Sequence, residues 1–461
     1  MAFNSKPDGP DGAGFPVWAL WQVGMSIRTD SLQLLAEEAD ALLTRLIRVK
    51  SFALHETMVP AAAPSLSAQA AIEHYLSDGR RALWQMVARY RQWLSSPEAY
   101  SVPISEAQRR FTFIRLRFNT LLSQFDIFAD VMTQRSEHET GIWLAGLDAV
   151  AADVLTLPGG YFHPPPVVCY LDRGHGAAIR RARTRLPGGG QNPVAIIRVP
   201  RERMIGSGVA SSLVHEVGHQ GAALLDLVNS FRAALDEMQR GSNGRWDIWR
   251  FYERWVSEIL ADFWSVARVG VGSTLGLMGV VSLPRAFVFR VSLDGPHPIP
   301  WVRVKLSRAL GEVLFPDPQW RKLARIWEAY YPLSGLDSQI RQLLTTLEKE
   351  MPVFVDLLVN HKAASLHGVT LAEAIGAAGR QPERLRAYYE AWQSVPEDML
   401  RAPPSLVFAV IGQARADSKL TSETESRLLA ELLTQWALRS TLSASAICAG
   451  HGWARGTALA P

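Results

Sequence analysis

The stretch SGVASSLVHEVGHQGAALL, residues 207–225, decides how the rest of the chain is read. Ser207 supplies an N-cap, and the spacing predicts a helix from there to about Leu235, before the break at Asn243 and Gly244. Inside it stands His215-Glu216-Val217-Gly218-His219. Residues at i and i+4 share one helical face, so both imidazoles can reach a single Zn2+ ion. Glu216 then sits beside the ion, where it can take a proton from an activated water. With 11 His in 461 residues, random placement gives about 0.01 such patterns per chain. The plain alternative is a structural helix with two hydrogen-bonded histidines and an exposed Glu.

A catalytic zinc needs three protein ligands and one open position. A third His six residues past the second would complete one known arrangement, but Leu225 stands there, and Ala222 where that pattern has Gly. The next predicted helix, about Trp246 to Val269, offers Glu258-Ile259-Leu260-Ala261-Asp262 instead. Glu258 and Asp262 are one turn apart. Glu258 can ligate through an oxygen, and Asp262 can accept a hydrogen bond from a ligand imidazole, fixing its tautomer. Ala261, Gly218 and Gly221 are small enough to let two helices share one ion. Further on, His297-Pro298-Ile299-Pro300-Trp301-Val302-Arg303 places a His and an Arg six apart behind a proline turn. Both are donors suited to an oxyanion or a substrate carbonyl.

H-E-x-x-H, E-x-x-A-D and H-P-x-x-x-x-R, in that order, resemble the gluzincin metallopeptidases. The closest pattern is that of the family containing the CaaX prenyl protease and the bacterial heat-shock membrane protease. The resemblance covers about Val194 to Arg303. It implies one catalytic Zn2+ held by His215, His219 and Glu258, with Glu216 as general base and Asp262 orienting a ligand. His297 and Arg303 would contact the transition state or substrate. The strand Val194–Val199 resembles the edge strand on which such enzymes lay an extended peptide. The sequence departs from the pattern in having Pro296 where Thr is common, and in its large helical flanks.

Working outward, the fold class expected is mainly α, α+β in the centre, with a gluzincin-like core and a small β-sheet. Residues 1–28 are expected as a flexible tail and 29–157 as a helical domain, with apolar residues such as Leu32, Leu35, Leu42 and Leu46 at helical spacing. The texture changes at Pro158. Two β-like runs, Val167–Leu171 and Val194–Val199, flank a loop containing Pro187-Gly188-Gly189-Gly190, and 158–312 is assigned to the metallopeptidase core. Pro316 and Pro318 mark the start of a C-terminal helical domain, 313–442, followed by a loose tail, 443–461. Val269–Leu283 is apolar but about 15 residues long and rich in Gly, shorter than the roughly 20 a span needs, so it reads as buried small-residue packing.

Composition narrows the function classes. A net charge of +4 is mild for this length, and 41 of the 48 basic residues are Arg. No nucleic-acid partner is expected. The two cysteines, Cys169 and Cys448, exclude a disulfide framework. With no basic-then-apolar start, the expectation is a soluble, cytoplasmic protein, with export by a signal-independent route left open. Partners are a protein or peptide substrate and, through the helical flanks, a further protein. The basic run Arg180, Arg181, Arg183 and Arg185 reads as a solvated hairpin, or else as a grip on an acidic substrate or nucleic acid. His163 and His175 lack ligand spacing. Trp246, Trp249, Trp255 and Trp264 read as core. Two other functions stay open: a non-catalytic helical interaction protein whose metal only staples two helices, and a zinc hydrolase of non-peptide substrates.

Overall fold

The computed structural model describes residues 17–50, 52–53, 57–172, 177–187, 189–201, 206–241, 246–292 and 295–456. Its elements are α1 (Val17–Arg48), α2 (Leu66–Leu94), α3 (Pro97–Ser101), α4 (Ile104–Thr133) and α5 (His138–Leu155). There follow β1 (Val167–Asp172), β2 (Ala178–Arg180), β3 (Ala195–Pro200), α6 (Ser207–Leu224), α7 (Leu227–Gly241), α8 (Trp246–Val269) and α9 (Val271–Val281). The remainder is α10 (Arg285–Val288), α11 (Pro300–Leu314), α12 (Pro318–Tyr330), α13 (Ser338–Val359), α14 (Leu371–Ala374), α15 (Pro382–Ser394), α16 (Pro396–Arg401), α17 (Pro404–Ala416) and α18 (Ser422–Gly456). The protein is mainly helical, with one small sheet among the described residues.

The chain divides into two compact units, and the division is not the expected one. One comprises Met1–Phe52 and Glu73–Asp126; the other comprises Ala53–Ile72 and Ile127–Pro461. The first is a helical unit in which Leu35, Leu42, Leu46, Phe111 and Phe118 are buried at the predicted helical spacing. Tyr90 anchors it through a hydroxyl that donates to the Ala107 carbonyl at 3.0 Å.

The second unit joins what the sequence reading separated at 157/158 and at 312/313. Buried residues of α5, the sheet and the helices from α6 to α18 form one hydrophobic cluster. α5 packs along α18, a partner almost 300 residues away that no local pattern announces. Pro316 and Pro318 bracket only the short turn between α11 and α12, and Trp320 is fully buried just beyond them. Neither expected tail boundary holds. α1 already covers Val17 to Arg28, inside the expected tail. α18 includes residues 443–456 of the expected tail. The expected tail at Met1–Gly14 lies outside the described residues.

Within the sheet the order is β1-β3-β2. β3 pairs parallel with β1 (Cys169 opposite Ile197) and antiparallel with β2 (Ile179 opposite Ile197). β1 and β3 match the predicted runs, but β3 is the central strand and not an edge. β2 was not foreseen. Val167, Cys169, Leu171, Ala195, Ile197 and Val199 form one buried face, and α5 and α6 pack on the sheet. A buried ion pair ties α5 to β1. Arg135 Nη1 donates to Asp148 Oδ2 at 2.9 Å, and Asp148 Oδ1 accepts from the Cys169 amide at 2.6 Å.

The helix after β3 is shorter than predicted. Ser207 is its first helical residue, and Gly206, at φ +130°, takes the cap position. It ends at Leu224, because Asp226 adopts a left-handed φ of +50° that an Asp tolerates better than most residues. Asn243 and Gly244, the expected break, lie outside the described residues. α8 coincides with the predicted helix, and its stripe of Tyr252, Trp255, Ile259, Phe263 and Val266 is buried. The apolar stretch Val269–Leu283 holds α9, whose Gly272 lies against Gly412 of α17, the small-residue packing expected. No helix of the described residues is long and apolar enough to cross a membrane.

Candidate metal centre

Three helices position the functional side chains. α6 carries His215, Glu216 and His219; α8 carries Glu258 and Asp262; His297 precedes α11, and Arg303 lies in its first turns. α6 and α8 approach closely because glycine lines the contact. A Cβ on Gly218 would stand 2.9 Å from the Ala261 Cα, and one on Gly221 would stand 2.3 Å from the Trp264 ring. The indole of Trp264 is pinned, its Nε1 donating to the Val154 carbonyl at 3.2 Å.

The close approach brings the predicted ligands together. His215 Nε2 is 3.3 Å from Glu258 Oε2, and His219 Nε2 is 3.4 Å from Glu258 Oε1. Ligand atoms of all three lie within 4.8 Å of one another. A tetrahedral zinc with bonds of about 2.0–2.2 Å separates its ligand atoms by about 3.3–3.6 Å, a spacing that the two imidazole–carboxylate gaps match and the full 4.8 Å spread exceeds. They are longer than good N–H···O hydrogen bonds.

Asp262 Oδ1 lies 2.8 Å from His215 Nδ1. A proton donated there turns the Nε2 lone pair toward Glu258 and the cleft. Arg303 grips Asp262 through two hydrogen bonds, Nε to Oδ2 at 2.7 Å and Nη2 to Oδ1 at 2.9 Å. The same Nη2 is 3.5 Å from Glu258 Oε2 and 3.3 Å from both ring nitrogens of His215. Equal distances to both nitrogens place it across the ring and not on either lone pair. Arg303 thus holds Asp262 and reaches Glu258 while also lining the cleft. His297, 63% exposed, stands at the rim with Nε2 3.6 Å from Glu258 Oε2.

No family model, no curated protein and no solved structure matches this chain. Burial works against a charged His215, but the Asp262 carboxylate, by charge and hydrogen bond, outweighs it with help from Glu258 and lifts the ring to about 9. Burial also opposes the charged forms of Glu258 and Asp262, yet their partners hold both below the ordinary carboxylate range. For Glu258 these are the two histidines and Arg303; for Asp262 they are Arg303 and His215. Carboxylates this firmly ionised around imidazole nitrogens make a site that favours a cation, whether a proton or a metal. Glu216 differs. Burial raises its pKa and the Glu258 charge adds to that, against His215, His219 and Arg303. A carboxylate so raised is a better proton acceptor near neutral pH.

All of these groups line one cleft of about 580 Å³. Its opposite wall is β2 and its flanks, with Ala177, Ala178, Ile179 and Arg181. Of that wall only the arginine run stands out in sequence, and nothing there marks Ser257, whose Oγ lies 3.4 Å from His219 Nδ1. Gln220 was also unremarked, although a buried amide beside His219 was a cue. Its Oε1 accepts from the Ala182 amide at 2.8 Å and ties the strand wall to the metal helix.

The other candidates fall away from the site. Cys169 is buried in β1, and burial pushes its thiol well above the usual range. Trp249, Trp255 and Trp264 are core. His163 lies in a loop where its carbonyl accepts from Arg183 at 3.3 Å. His175 lies outside the described residues.

Proposed function

We propose that this protein is a zinc-dependent peptidase whose gluzincin-like core is built by α6, α8, the turn into α11 and the small sheet. The observation that carries the proposal is the convergence of His215, His219 and Glu258 at ligand spacing, with Glu216 buried beside them in the same cleft. A purely structural ion would need neither the open cleft nor an acid poised next to it.

His215, His219 and Glu258 would hold a Zn2+ ion, whose Lewis acidity would lower the pKa of water toward about 7. The chain's own residues do the rest. Asp262 fixes the His215 tautomer, and Arg303 holds Asp262 and Glu258 in register. Glu216 accepts the proton of the attacking water and returns it to the leaving amine. His297 at the rim has a free donor for the oxyanion. An extended substrate finds its pairing edge on β2, since β3 is paired on both sides.

The test is metal analysis of purified protein together with a broad peptide-library assay. Wild type should carry one zinc and cleave peptides. Glu216→Gln should keep the zinc and lose about 10²–10⁴-fold or more in turnover, and Glu258→Ala should lose most of the metal. Zinc without any Glu216-dependent cleavage would overturn the reading in favour of a structural site or a hydrolase of other bonds.

A further inference from the structure

The four arginines read from sequence as a solvated hairpin do not behave as one group. Arg183 and Arg185 belong to the turn, where Arg183 donates to the His163 carbonyl and Arg185 bridges to Gln191. Arg180 and Arg181 instead border two hollows that meet at β2. The first is the metal cleft, which Arg181 lines. The second, of about 600 Å³, lies along the same strand and is lined by Arg180, Arg181, Arg198, Tyr170 and Asp130 among others. Ala178, Ile179 and Arg181 border both.

Arg180 and Arg181 are exposed, and among the described residues neither has an acidic partner. Arg198 is only loosely engaged. Its Nη1 lies 3.4 Å from Asp172 Oδ2, and its buried Nε has no partner. Of the carboxylates in the metal cleft, Glu258 and Asp262 are already committed to Arg303 and the ligand histidines. The arginines also sit at a fixed distance from the metal helix. Gln220, next to His219, holds the Ala182 amide, and the Asn192 side chain donates to the carbonyls of Arg180 and Arg181 at 3.1 and 3.2 Å.

We infer that the cleft takes acidic peptide segments, read by Arg180, Arg181 and Arg198. An extended chain laid on the free edge of β2 sends alternate side chains to opposite faces of the sheet. Ala178 and Arg180 stand opposite Arg198 and Ile196 on β3, the face of the second hollow. Every second substrate side chain therefore meets guanidinium groups, which pair with carboxylates by charge-assisted, often bidentate bonds. Single-stranded nucleic acid would answer the same charge. It would need stacking platforms along its path, whereas this hollow offers one tyrosine and a β-edge suited to a peptide backbone. That the bound segment is also cleaved rests on the peptidase reading; that it binds does not.

The experiment measures binding to zinc-loaded, full-length Glu216→Gln protein by fluorescence polarisation. The probes are fluorescein-labelled decapeptides of alternating Ala and Glu, with Gln and Lys counterparts. The Glu peptide should bind at least about tenfold tighter than the Gln peptide, and less tightly as salt rises. Arg180→Glu/Arg181→Glu should reverse the order, so that the Lys peptide binds best, with zinc content unchanged. Arg180→Gln/Arg181→Gln tests the same point if the reversal does not fold, and should bring the Glu and Gln peptides within about threefold. Equal binding of Glu and Gln peptides to the parent, or a preference for Glu that survives both substitutions, overturns the inference. Displacement of the Glu peptide by an equimolar ten-nucleotide oligothymidylate overturns it in favour of nucleic acid. Selective binding of the Glu peptide with no cleavage by wild type upholds the acidic site and overturns the peptidase reading instead.

Discussion

Gly218 lies between the two histidine ligands and against the helix that carries the third, so adding one methyl group there tests the whole construction. A Cβ at 218 would lie 2.9 Å from the Ala261 Cα, 2.9 Å from the Trp264 Cβ and 3.0 Å from the Ala261 carbonyl oxygen. Ordinary contact begins near 3.4 Å. Two of the three atoms are backbone, and Trp264 is pinned through its indole nitrogen, so no side chain can swing aside. α6 and α8 must separate by roughly 0.4–0.5 Å, more than the ±0.2 Å or so that a metal site tolerates in its ligand distances. The apo protein should lose little. Overpacking costs about 1–3 kcal/mol, and the better helix propensity of Ala returns about 1 kcal/mol. Zinc should suffer more. A drop in affinity of about 10–100-fold, the range seen when ligand support is disturbed, should appear in competition with a chromophoric chelator. Gly208→Ala is the control, in the same helix with nothing within 4 Å of the added carbon. It should leave both quantities unchanged or improve stability slightly. A Gly218→Ala protein that binds zinc as tightly as wild type would refute the view that close helix contact sets the ligand geometry.

Two further perturbations probe the support of the site and of the fold. Asp262→Asn keeps the shape but removes the charge that fixes His215 and holds Arg303; zinc affinity should fall about 10–100-fold, and an unchanged affinity in the chelator competition would dismiss Asp262 as an orienting group. Asp148→Ala strands the buried Arg135 guanidinium and should cost about 3–5 kcal/mol in urea denaturation, while Arg135→Met/Asp148→Leu should recover most of it. A loss below about 1 kcal/mol for the single change would show that the pair does not tie α5 to β1.

How much of this was legible in sequence depends on distance along the chain. His215, Glu216 and His219 are a local pattern, since helical periodicity alone places i and i+4 on one face. Glu258 and Asp262 sit about 40 residues on, yet remained readable because Gly218, Gly221 and Ala261 advertise a close helix contact. For Arg303 the motif points to the residue but not to its contacts. Nothing in H-P-x-x-x-x-R says whether the guanidinium faces substrate or turns back onto Asp262, as it does at 2.7 Å. The domain division was the least visible. α5 looks like the last helix of an N-terminal bundle until its burial against α18 is seen, and such a contact leaves no periodic trace in either segment.

The misplaced edge strand has a topological cause. Strands met in sequence order suggest that the last run, Val194–Val199, closes the sheet. β1 and β3 are parallel neighbours, however, and β2, which lies between them in sequence, pairs antiparallel with the other side of β3, so that β3 takes the central place. β2 has three residues, Ala178, Ile179 and Arg180, too few for an alternating pattern to register against arginine-rich surroundings. The same strand order explains why charge ends up at the cleft. Because β3 leads directly into the metal helix, whichever strand lies on its outer side becomes the cleft wall. That strand is the one leading into the arginine run. A segment that looked like solvated connection is thereby fixed beside His219 through Gln220, and the basic residues acquire a position relative to the metal site that their sequence neighbourhood does not suggest.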